Sequence, residues 1–156
     1  MRTHWAARTG AICYALWGVL HVLGAGMQLS RLGREGGAGL AAMLASAGPP
    51  GVTMPAVAAP AAAFMGMGAF NLLWIGLLVT AIALTLNWHN SRLGFWLNLA
   101  LVGLTDLGLV YYLLLSRIMA WSDGGVGLVL FVAALGFSSL GRVVHGAATG
   151  RRLQEV

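Results

Sequence analysis

The sequence predicts an all-α integral membrane protein, a four-helix bundle with a long, proline-rich first extracytoplasmic loop. Three observations carry that expectation. First, 59% of the 156 residues are hydrophobic and only 8% are charged. Soluble domains carry about 25% charged residues, so this chain lacks the polar surface that water requires. Second, four apolar runs lie at about 10–29, 64–87, 93–115 and 126–145. A hydrocarbon core is crossed by roughly 20 residues at about 1.5 Å rise each, and each run reaches that length. Third, the links 88–92 and 116–125 are short, which makes the last three runs antiparallel neighbours within one transmembrane domain spanning 1–156.

The first run follows Arg2, His4 and Arg8. Basic residues ahead of an apolar core also describe a signal peptide. This core is long for a signal, however, and it contains His21 and Gln28, so it is read as a span. The outer loop, 30–63, has a polar start (SRLGREGG), a short apolar piece (38–47) and a proline-rich end. Pro49, Pro50, Pro55 and Pro60 argue against a further spanning helix there, and the expectation is a partly helical cap at the membrane surface. The second and third runs form a helical hairpin. The fourth carries the small-residue stripe Gly127, Ala134, Ser138 and Gly141 ahead of His145, a pattern that close helix packing uses.

The net charge of +5 comes from nine arginines and no lysine. In a soluble chain such a balance points to nucleic acid. Here the arginines sit at the ends of apolar runs, where topology and lipid headgroup contact account for them, so no nucleic-acid partner is expected. Arg2, Arg8, Arg92, Arg142, Arg151 and Arg152 fall on one side of four spans, and Arg31, Arg34 and Arg117 on the other. The positive-inside rule then places both termini in the cytoplasm. Trp5, Trp88, Trp96 and Trp121 fall near span ends, as an aromatic belt requires. Twenty-three glycines and the absence of lysine suggest a GC-rich bacterial genome, hence the inner membrane.

Asp106, near the middle of the third run, is the residue that calls for a partner. A carboxylate at that depth costs about 2.5–3.5 kcal/mol on insertion scales. His21 in the first run lies about 16 Å from the inner end and Asp106 about 20 Å, at 1.5 Å per residue. An imidazole beside a carboxylate hides both groups through a charge-assisted hydrogen bond. A direct His21–Asp106 contact is therefore expected, as an acid/base or anchoring pair. Trp17 and Trp74 would wall the cavity, while Gln28, Asn71 and Tyr112 would position a polar head. Thr105 shares a face with Asn98 and Tyr112. Each feature also has a plainer reading: Asn71, Thr105, Ser138 and Ser139 as interhelical hydrogen-bond glue, Trp and Met as packing, and the pair as a structural pin.

The expected function is binding of a lipophilic small molecule (a lipid, sterol, quinone or isoprenoid) in an intramembrane polar cavity, with conversion by proton transfer as an extension. No cofactor is implied. A b-type haem needs two histidines at matching depth, and no such pair occurs. A carboxylate-bridged metal needs several buried acids, and only one is present. Cys13, the single cysteine, excludes an intramolecular disulfide. The alternative is a non-catalytic accessory subunit or assembly factor, bound to a partner membrane protein or to its own copies. A ligand binder should turn its polar residues inward, and a subunit outward.

Overall fold

The computed structural model describes residues 4–48 and 55–154, with side chains described for 5–48 and 55–144. Among these residues the regular structure is entirely helical: α1 (His4–Leu44), α2 (Ala59–Thr85), α3 (Arg92–Leu109) and α4 (Trp121–Gln154). A short 3₁₀ turn (Asn87–His89) joins α2 to α3, and a π turn (Val110–Leu114) extends α3. With that extension, all four helices are long and apolar enough to cross a membrane. Their outward faces carry large exposed apolar side chains such as Leu23, Phe64, Leu104 and Val129. Patches of that extent are a liability in water and a requirement in lipid.

Close packing sets the order of the helices. Helix α1 lies tightest against α2 and α4, while α3 touches α2 and α4 from across the bundle. The missing side chains of glycines allow the first two contacts. A Cβ on Gly76 would lie 2.7 Å from the Gly18 carbonyl oxygen, and one on Gly141 would lie 2.9 Å from the Ala7 nitrogen. A Cβ on Gly10 would likewise run into Ser138 and Ala134. The α4 stripe is thus a helix-packing surface, as its composition predicted. Tyr14, Trp17, Val79, Ala83, Val102 and Ala134 form the buried core between the four helices.

The link between α2 and α3 is closed by Asn90 in the left-handed conformation (φ 57°), which asparagine tolerates better than most residues. Its Nδ2 donates to the Gly141 carbonyl at 3.3 Å, tying the link to α4. Ser91 then caps α3 by accepting from the Gly94 amide at 3.4 Å, the usual role of serine at a helix start.

The first connection departs most from expectation. A loop over 30–63 was predicted; instead α1 continues to Leu44, and α2 already begins at Ala59. Hydropathy falls after Leu29, but helical structure does not, and an Arg31–Glu35 ion pair (Nε–Oε2 2.9 Å) spans one turn there. The helix breaks at Gly36 (φ 67°, ψ −166°), a backbone region open essentially to glycine alone. Beyond it, residues 37–44 form a short outer limb that buries Leu40. Gly37 sits close against Val57 and Ala62. The Ala47 amide donates to the Ile118 carbonyl (3.2 Å), and the Ala120 amide to Ser46 Oγ (3.1 Å). These bonds pin the cap to the α3–α4 link. Pro60 falls in the first turn of α2, where its missing N–H is harmless. Pro49 and Pro50 lie outside the described residues, as do Arg2 and the side chains of His145, Arg151 and Arg152.

Gly36→Ala should lower stability by about 1–3 kcal/mol in denaturant unfolding of the detergent-solubilised protein. Gly33→Ala, one turn earlier on an open helical face, should be neutral or slightly stabilising. Equal effects at the two positions would show that the break does not depend on the backbone of Gly36.

Candidate functional site

The buried face of α3 is the line Gly94, Asn98, Val102 and Asp106, successive positions four residues apart. Asp106 is therefore turned into the bundle, with 2% of its surface exposed. Opposite it on α1, Tyr14 and Trp17 are fully buried, and His21 stands one turn further out and half-buried.

The expected His21–Asp106 contact is not made. Trp17 lies between the two: its Nε1–H donates to Asp106 Oδ1 at 3.2 Å. His21 is bound to Trp17 instead. The imidazole stacks on the indole with centroids 3.7 Å apart and planes inclined by 23°, and its Nδ1 lies 2.7 Å from the Trp17 carbonyl oxygen. The reason is geometric. Helices α1 and α3 are diagonal across the bundle; with neighbours 8–10 Å apart, the diagonal is roughly 11–14 Å. An indole spans more of that gap than an imidazole. Trp17 is thus a hydrogen-bonding member of the site, not the apolar wall expected of it.

This arrangement restricts the chemistry. A carbonyl only accepts, so Nδ1 of His21 carries the proton and Nε2 is left as an acceptor. Indole N–H only donates, so Trp17 cannot relay a proton from the acid to the imidazole. The group Asp106–Trp17–His21 is a hydrogen-bonded and stacked assembly, not a proton-transferring dyad. Gly127 lets α4 pack directly against this stack: a Cβ there would approach His21 Cε1 to 3.1 Å and Trp17 Nε1 to 3.5 Å.

The remaining predicted residues are dispersed. Asn71 and Trp74 are both exposed on the outer face of α2, bonded to each other through Trp74 Nε1 and Asn71 Oδ1 (3.2 Å). Tyr112 is 69% exposed and Tyr111 64%. The π turn is responsible, since its wider winding keeps Leu114 on the inward line and carries both tyrosines out. Thr105 is half-buried and donates to the Leu101 carbonyl of its own helix (2.7 Å). Gln28 is half-buried on α1, a turn beyond Gly24. The outer-half cavity that these residues were expected to line is not assembled.

The buried polar set is wider than the predicted site. Tyr14 Oη, both side-chain polar atoms of Asn98 and of Asn87, Ser138 Oγ and Asp106 Oδ2 have no hydrogen-bond partner among the described residues. Spacing could have found Tyr14, which precedes Trp17 by three residues and His21 by seven and so continues a stripe already in view. Among the described residues no group of three or more His, Cys, Asp or Glu side chains could hold a metal ion.

Removing the indole donor should expose the dependence of Asp106 upon it. In unfolding cycles, Trp17→Phe and Asp106→Asn should couple by about 0.5–3 kcal/mol, whereas His21→Ala and Asp106→Asn should be additive to within about 0.5 kcal/mol. The reverse ranking would restore the direct pair.

Comparison of this chain with protein-family models, with curated proteins and with solved structures found no match.

Proposed function

We propose that the chain is an integral membrane protein that binds a lipophilic small molecule through a hydrogen-bonding head placed at mid-span. The observation that carries this reading is Nε2 of His21, which makes no hydrogen bond among the described residues and is held half-buried at mid-span by the Trp17 stack. An acceptor fixed in that way suits a hydroxyl donor on an otherwise apolar body, such as a sterol, a quinol or an isoprenoid alcohol. Asp106 would serve indirectly, by locking the indole on which His21 rests. Binding is favoured over conversion, because the indole interrupts any proton path between the two titratable groups. Inner-membrane location with cytoplasmic termini is part of the same proposal and rests on the arginine distribution.

A second reading, a subunit of a larger or self-associated complex, is supported by the outer face of α2. Met67, Asn71, Trp74, Ala81 and Thr85 form an exposed stripe there, and an amide facing hydrocarbon is better satisfied against another helix.

Native mass spectrometry of the protein, released from its own membrane in mild detergent, separates the two. A stoichiometric small-molecule adduct is expected, lost in His21→Ala but retained in Asn71→Leu. Release only with further polypeptide, sensitive to Asn71→Leu and not to His21→Ala, would replace the first reading by the second.

A further inference from the structure

The break at Gly36 folds the outer limb of α1 back towards the helix it leaves, and a groove of about 540 Å³ opens between them. Its lining is divided by chemistry. Val22, Leu23 and Met27 of α1 and Met43 of the limb make an apolar floor, and Arg31 and Arg34 stand at one end. We propose that this groove holds one anionic phospholipid, its acyl chain along the floor and its phosphate against the two arginines.

Three features select that occupant. The first is depth. Arg8, at the start of α1, and Arg31 are separated by about 34 Å at 1.5 Å per residue, close to the roughly 30 Å of a hydrocarbon core. The groove's charged end therefore stands at the headgroup level of one leaflet, with its floor in the acyl region. The second is charge. Arg31 is already paired with Glu35 at 2.9 Å, so it contributes a partly neutralised guanidinium. Arg34 is exposed and forms no salt bridge among the described residues, which leaves it free for a bidentate contact to phosphate. The third is size: the volume lies within the 300–1,000 Å³ typical of small-molecule sites, and its lining runs along α1 from Val22 to Arg34, an elongated path suited to an acyl chain. This site is separate from the Trp17–His21 cluster and does not depend on it.

The test is lipid retention by the full chain, reconstituted in phosphatidylcholine nanodiscs with a minority of phosphatidylglycerol and read by native mass spectrometry. One phosphatidylglycerol per chain should be retained in preference to phosphatidylcholine. A headgroup charge contact near a membrane surface corresponds to about a fivefold change per arginine. Arg34→Gln should therefore reduce the preference about fivefold, Arg31→Gln by less, and Arg8→Gln at the opposite end not at all. Gly26→Leu supplies a variant with the charge intact: Gly26 lines the floor, and a Cβ there meets nothing within 4 Å. The protein should fold normally and yet lose the retained lipid. Glycerol phosphate, the soluble headgroup alone, should not displace it. The proposal is overturned by an absent preference, by an equal loss in Arg8→Gln, by full retention in Gly26→Leu, or by displacement with glycerol phosphate.

Discussion

The hydrogen bond from Trp17 to Asp106 joins the two helices that do not otherwise pack closely. Helix α1 meets α2 and α4 through glycine and alanine contacts tight enough to exclude a side chain, but it faces α3 only across the diagonal of the bundle. A carboxylate there would be an uncompensated polar group in an apolar interior. The indole supplies a donor at 3.2 Å and a large apolar body in the same residue. It therefore gives one carboxylate oxygen a partner and fills the core at once, while Oδ2 has none among the described residues. The stacking of His21 and the close approach of Gly127 follow from where that indole lies.

The same contact explains why two titratable residues at similar depth do not act as a pair. A tryptophan between them isolates them chemically while holding them in one assembly. In the proposed reading it is the far nitrogen of the fixed imidazole that would meet a hydroxyl-bearing lipophile. The buried polar atoms of Tyr14, Asn98 and Asp106 lie on the same inward faces, so the core is more polar than the hydropathy of its helices implies.

A second device sits at the other end of α1. Gly36 ends a helix that has run past its apolar segment, and the short limb beyond it turns a plain helix end into a groove with an arginine rim. The two features divide the helix by chemistry. The middle offers hydrogen bonding inside the bundle, and the outer end offers charge and apolar surface on its flank.

The sequence by itself determined the number and approximate placement of the helices, because twenty-residue apolar runs and short polar links have few other solutions. It also singled out Asp106, since an acid within such a run must be turned inward or paired. The α4 stripe was legible for the same reason: small residues at helical spacing serve close approach. Tertiary structure alone decided which residue reached Asp106. Trp17 and His21 share a face of α1, and only the diagonal arrangement of α1 and α3 favours the longer side chain. It likewise decided that Tyr112 turns outward, because a π turn shifts the phase of a helix without a mark in the hydrophobic pattern. The extent of α1 was hidden too, because hydropathy registers compatibility with lipid, whereas helix formation through Arg31 and Glu35 does not depend on it.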